Sequence, residues 1–238
     1  MPDVISRRQL LLTVASVMLL PAEVIAGIGV QKKLSWPEFQ EKMTELANAE
    51  TPGVVDQKAV AQNAMKMLQQ LDISSIEFSQ AVEDSYETGN RYWLWQRLIK
   101  QRNLNGGILT IDENQLVPLH DHPGATGMVR IISGEAEVWL FNEARENKAE
   151  QNKPEQGIVE LVQVSRRVLR SGDTAILTPH RGNIHALKSL SKKCNMLDFF
   201  IPPYEKSQRN WFEPLTENWF YKERISCRKI PQHVYTKV

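Results

Sequence analysis

The chain has 238 residues, 42% of them hydrophobic and 24% charged, which suits one domain with a buried core plus extensions. Its formal net charge is +1, and the basic pairs Arg166-Arg167 and Lys192-Lys193 are short, so no nucleic-acid partner is expected. The two cysteines, Cys194 and Cys227, are too few for a disulfide framework and leave open one bridge or two free thiols.

Residues 1–26 have the order of an export signal. Ser6-Arg7-Arg8-Gln9-Leu10-Leu11 resembles a twin-arginine start, Leu10 to Leu20 is an uncharged apolar run, and Val24-Ile25-Ala26 offers small residues for cleavage. A membrane span needs about 18 or more apolar residues. Pro21 and Glu23 end the run before that, so no stable membrane partner is expected. The expectation is a periplasmic or exported protein, with a cytoplasmic location as the alternative.

Residues 27–90 read as a helical extension. Ser35 with Glu38 three residues on is a capping box, and Pro37 falls in the first turn, so a helix is expected to Asn48. Thr51-Pro52-Gly53 breaks it. Asp56 can cap a second helix to about Leu71, with Val60, Ala64, Met67 and Leu71 on one stripe. A third is expected from Ser75 to about Ser85. All three should pack outside the main domain.

Residues 91–238 change texture. Tyr92-Trp93-Leu94-Trp95 favours a strand, with a helix through Lys100 as the alternative. Strands are expected at Gly107–Ile111, Met128–Ile132 and Glu135–Phe141, the last two joined by a turn at Ser133-Gly134. The polar stretch Asn147–Gly157 reads as a loop. Further strands are expected at Ile158–Val164, Arg167–Leu169, Asp173–Leu177, His185–Leu190 and Met196–Ile201. Many short strands between Gly and Pro turns predict an all-β sandwich or jelly-roll barrel.

The chemistry concentrates in Pro118-Leu119-His120-Asp121-His122-Pro123-Gly124 and Gly182-Asn183-Ile184-His185, which hold three of the five histidines. In an extended segment, H-x-H places both imidazoles on one side. A third His from another strand completes one face of a metal site and leaves the opposite face for substrate and oxygen. His180 is expected to shape the pocket or face solvent, and His233 to be exposed. Asp121 reads as a turn-former. Trp93, Trp95 and Trp139 read as core.

The spacing H-x-H-x4-G-x6-G from His120 to Gly134 resembles the first motif of the cupin superfamily, with Gly127 where that motif has Glu. Gly172, Pro179, Gly182 and His185 follow the order of its second motif. This resemblance implies a double-stranded β-helix with three His ligands and no carboxylate ligand. Three neutral ligands leave the full charge on a divalent ion and favour a directly bound thiolate.

A narrower resemblance follows. Residues 118–126, Asn183-Ile184-His185, and the segment from Leu197-Asp198 to Pro202-Pro203-Tyr204 are similar to the P-L-H-D-H-P-G-M-T, N-I-H and L-D-x-x-x-P-P-Y stretches of the cysteamine dioxygenase and plant cysteine oxidase family. Ala125 replaces that family's usual Met, and the segment after Tyr204 departs from its pattern. The resemblance implies His120, His122 and His185 as Fe(2+) ligands, with Asp198 and Tyr204 as catalytic residues beside the metal. Asp198, in an apolar run, would be buried and hydrogen-bonded to a ligand imidazole. Residues 91–238 would then be a thiol dioxygenase domain, acting as a monomer on a small thiol or an N-terminal-cysteine peptide with O2. The alternatives are a cupin metalloenzyme with a non-thiol substrate, or a non-catalytic binding or sensor cupin.

Overall fold

A computed structural model describes residues 32–49, 57–89, 93–144, 157–204 and 208–232. The export-type segment, Asp56, the Thr51-Pro52-Gly53 break, most of the polar loop after Asn147, and His233 lie outside these residues. Among the described residues, no helix is long and apolar enough to cross a membrane.

Three helices come first: α1 (Trp36–Asn48), α2 (Gln57–Gln70) and α3 (Ile76–Glu83). The capping box forms as expected, with Ser35 accepting from the Glu38 N–H and Glu38 accepting from the Ser35 N–H. Ser75 caps α3 by accepting from the Phe78 N–H at 3.1 Å.

Two antiparallel sheets follow. The first has the order β1 (Tyr86–Gly89), β2 (Leu94–Lys100), β3 (Asn105–Asp112), β10 (Lys193–Ile201), β5 (Thr126–Ser133), β8 (Thr174–Leu177). The second closes on itself in the order β11 (Asn210–Pro214), β12 (Arg224–Pro231), β7 (Ile158–Arg170), β6 (Glu135–Glu143), β9 (Ile184–Ser189), β4 (Leu116–Asp121). This is the all-β jelly-roll core with N-terminal helices that the turn-rich sequence predicts.

Period-two alternation sorts the apolar residues into three layers. On β10, Leu197, Phe199 and Ile201 face the helices, where they join Trp36, Phe39 and Met43. Phe39 meets the edge of Phe199 with ring centroids 5.4 Å apart. Gly106 makes room for that ring, since a Cβ there would lie 2.0 Å from Phe199. On β5, Arg130 also points to the helices and donates to the Leu71 carbonyl at 3.0 Å, satisfying a group left open at the end of α2. Between the sheets lie Ile111, Val129, Ile131, Val138 and Met196. Inside the closed sheet lie Leu119, Trp139, Phe141, Phe212 and Trp219. Trp139 is therefore core, as expected.

Several boundaries differ from expectation. The segment read as two strands, Ile158–Val164 and Arg167–Leu169, is the single strand β7. Its first half pairs with β12 and the rest with β6, and a register shift at Leu140/Phe141 lets the pair bend around the barrel. Residues 94–100 are strand, the favoured reading there, and not the alternative helix. Strands β11 and β12 were not anticipated, because charged residues interrupt their apolar alternation. Cys194 and Cys227 are both buried free thiols in separate apolar layers.

Candidate metal centre

His120 lies on β4, directly opposite His185 on β9, and on its other side it pairs with Trp211 of β11. The closed sheet is thus completed at His120. A register shift between Val117 and His120 resets the alternation, so Leu119 enters the barrel core while His120 turns to the cavity between the sheets. His122 follows the end of β4, and its backbone N–H donates to Asn183 Oδ1 at 3.2 Å. That bond ties the two histidine segments together. All three rings are buried.

The three Nε2 atoms converge. His122 Nε2 lies 3.0 Å from His185 Nε2, which lies 3.1 Å from His120 Nε2. With metal–nitrogen bonds of about 2.1 Å, ligands at right angles stand about 3.0 Å apart. His120 Nδ1 donates to the Pro118 carbonyl at 2.7 Å, which fixes the tautomer and leaves its Nε2 lone pair free. Burial pushes His120 and His122 well below the ordinary imidazole range, helped by neighbouring histidines and Arg209. Burial, with Arg209, pushes His185 down to about 3. All three are therefore neutral at neutral pH, the form in which an imidazole can bind a metal. Among the described residues they form the one cluster able to hold a metal ion.

No carboxylate joins them. Gly127, on β5, stands where a fourth ligand was considered, and a Cβ there would meet Leu177 at 2.9 Å and Phe200 at 3.2 Å. The Phe200 ring uses this space to stack on His122, with centroids 4.7 Å apart. A divalent ion at this site would keep its full charge for a bound anion.

The histidines line a cavity of about 280 Å³. Asp198 and Tyr204 line it too, so the structure brings together every residue that the motifs single out. Tyr204 meets His122 edge to face, with centroids 4.5 Å apart. Asp198 is buried, and burial pushes its carboxyl up to about 8 against the pull of Arg209. It does not play the expected part of hydrogen-bonding a ligand imidazole: its Oδ1 has no partner, and its charge interaction is with Arg209.

Two other expectations change, while His180 takes one of its two expected places. Trp93 and Trp95 line the cavity rather than only filling the core, and Trp93 packs beside both His120 and Trp211 at centroid distances of 6.4 and 5.9 Å. Asp121 is not a turn-former: it ends β4 and accepts from Asn210 N and Nδ2 at 2.7 and 2.8 Å, pinning β11 to the site. His180 is exposed and takes no part in the cavity wall. Arg209 was not singled out from the sequence. It is buried, lines the cavity and donates to the Tyr204 hydroxyl. An arginine beside the aromatic run Trp211-Phe212, just past the Pro-Pro-Tyr segment, is the signal that could have found it.

Comparison with known proteins adds ancestry to this geometry. The model of the PCO_ADO family matches residues 58–227. The 2-aminoethanethiol dioxygenase of Homo sapiens is 29% identical over 115 residues, which cover 42% of this chain and 43% of the relative. The probable 2-aminoethanethiol dioxygenase of Dictyostelium discoideum is 22% identical over 168 residues, covering 68% of this chain and 73% of the relative. The chain thus spans less than half the length of the human relative it matches. Among solved structures, a protein with a double-stranded beta-helix domain from Klebsiella pneumoniae is 17% identical with a TM-score of 0.37, over 51% of this chain and 82% of that one. An RmlC-like cupin from Shewanella frigidimarina is 18% identical with a TM-score of 0.38, over 52% of this chain and 88% of that one.

Proposed function

The chain belongs to the PCO_ADO family, and from that premise we propose that it is a mononuclear iron(II) thiol dioxygenase that converts a thiol to a sulfinic acid. The observation that carries the reading is the all-nitrogen facial cluster of His120, His122 and His185 at one end of a small buried cavity. In the overall reaction, sulfur gains both atoms of one dioxygen molecule: the thiol loses four electrons to oxygen, and the sulfinate carries the proton balance. Iron(II), when bound by the three imidazoles, would supply the thiol acidification and redox chemistry that this change requires.

The chain's own residues do the rest. The His120 Nδ1–H bond to Pro118 holds one ligand ring in place. Phe200 and Trp93 pack on the ligand rings and exclude water from their faces. Tyr204, held by Arg209, presents a phenol at the His122 side of the cavity, where it can hydrogen-bond a sulfur or oxygen atom of the substrate. Asp198, protonated to about pH 8 by burial, can donate a hydrogen bond into the cavity. The twin-arginine-like start supports export to the periplasm, and the cavity is complete within one chain, which supports action as a monomer.

The test is oxygen consumption by anaerobically iron-loaded protein given a panel of small thiols and N-terminal-cysteine peptides. Thiol-dependent uptake, with one oxygen molecule used per sulfinate formed, is the expected result. No uptake with any thiol removes the proposal. A reporter fused to residues 1–40 reads export: signal lost on Arg7→Lys/Arg8→Lys is expected, and an unchanged cytoplasmic signal removes that part.

A further inference from the structure

Of the cavity-lining groups, Arg209 has the clearest unmet requirement. Its side chain is buried, at 7% exposure, yet its Nε–H has no partner. The guanidinium lies 5.0 Å from the Tyr204 ring centroid and 5.5 Å from that of Trp211, and its side-chain hydrogen bond goes to the neutral Tyr204 hydroxyl. A guanidinium carries five N–H donors and no acceptor, and a buried one needs an anion.

Asp198 and Asp121 both attract its charge, but neither hydrogen-bonds it. Asp121 already accepts two bonds from Asn210. Asp198 makes no recorded hydrogen bond to Arg209, and burial keeps it protonated to about pH 8. A second arginine, Arg97, lines the same cavity with an unpartnered buried Nε. At neutral pH the cavity therefore holds two guanidinium groups, and a divalent ion on the histidines would add to that positive charge. A cationic amine entering as a substrate would raise it further, whereas a thiolate with a second negative group would offset it. The two ends are close in the fold: Arg209 contacts Tyr204, and Tyr204 contacts His122. A volume of about 280 Å³ restricts the ligand to a small molecule.

We propose that the cavity takes a short-chain thiol carrying a carboxylate, with the sulfur at the three-histidine end and the carboxylate paired with the Arg209 guanidinium that lines the wall. This rests on the thiol reading above and names its substrate class. Arg209 is then the group that selects an anionic substrate, with Arg97 adding long-range attraction to the same wall.

The test separates binding from turnover. Metal-loaded protein, kept free of oxygen, is titrated with 3-mercaptopropionate, its methyl ester and cysteamine, while quenching of tryptophan fluorescence is followed. Trp93 and Trp211 lie beside the site and supply the signal. A charge-assisted hydrogen bond predicts that the acid binds about tenfold tighter than its ester. In Arg209→Gln that preference should collapse, and Arg209→Lys should restore part of it. Equal binding of acid and ester by the wild-type protein, or tighter binding of cysteamine, overturns the assignment whether or not the variants fold. Oxygen is then admitted. If cysteamine is oxygenated while the acid shows no preference in binding, the carboxylate subsite falls and the thiol reading stands. If the acid is preferred but no thiol is oxygenated, the subsite stands and the thiol reading falls.

Discussion

Strand β10 turns Leu197, Phe199 and Ile201 toward the helices and Asp198 and Phe200 toward the cavity, so five consecutive residues serve two environments. On the helical side the three β10 side chains are apolar and packed, with Phe199 over Gly106 and edge to face with Phe39. On the cavity side, Asp198 keeps an unpartnered Oδ1 and a raised pKa, and the facing Asn105, Arg97 and Arg209 carry unpartnered polar atoms too. Burying such atoms unpaired costs stability. The contrast is of one strand packed closely on one face and carrying unpartnered polar groups on the other.

The comparison can be broken first at the metal. His185→Ala removes a ligand that touches both partners. Metal affinity should fall by more than the roughly 10–100-fold that outer hydrogen-bond partners control, as read by metal analysis after dialysis. The metal-free variant should unfold at the same or higher urea concentration than the metal-free parent, because a crowded cluster of buried rings has been relieved. Phe199→Ala acts on the opposite face and should do the reverse. It should cost about 3–5 kcal/mol in urea unfolding while metal content per folded molecule is unchanged.

Gly127→Glu tests the missing carboxylate. Its Cβ would press on Leu177 and Phe200, so overpacking should cost about 1–3 kcal/mol. The added negative charge near His122 should also weaken thiol binding, measured by anaerobic titration.

Asp198 sharpens the contrast through pH. Its folded pKa, about 8, lies above the ordinary carboxylate value, so the native state holds a proton that the unfolded state has lost between about pH 4 and 8. That contribution to stability is full below pH 4 and is lost as pH rises to 8. The three histidines work in the opposite sense, because their lowered values make stability rise with pH up to the ordinary imidazole range near 6.5. The window from about pH 6.5 to 8 therefore isolates Asp198. Metal-free parent protein should lose stability across it, and Asp198→Asn should be nearly flat. The smallest effect lies farthest from the site: Ser35→Ala removes the α1 cap and should cost about 1 kcal/mol, with no change in metal content.

Much of this design can be read in the chain, and the limits are physical. His120, His122 and His185 are visible because strand periodicity is short-range and H-x-H announces itself. Asp198 stands out as a lone carboxylate in an apolar run. The helices are legible from Ser35 and Ser75, whose caps are local hydrogen bonds. Arg209 was missed because its place depends on β11 returning to β4, through a bond between Asn210 and Asp121 that spans 89 positions. Trp93 and Trp95 read as core in the sequence because an aromatic that lines a cavity has the same local pattern as one that fills a core. The single strand β7 was split because its charged stretch Ser165-Arg166-Arg167 lies on the outer surface of a bent strand, where polarity is no break.

The central claim is that the three-histidine cavity oxygenates a thiol sulfur. Iron-loaded protein turned over with a thiol under isotopically labelled dioxygen, with the product read by mass spectrometry, tests it most directly. The expected product is a sulfinate in which both oxygen atoms carry the label, and it should vanish in His185→Ala. A product with one labelled atom, a disulfide as the sole product, or turnover that survives loss of His185 would contradict it.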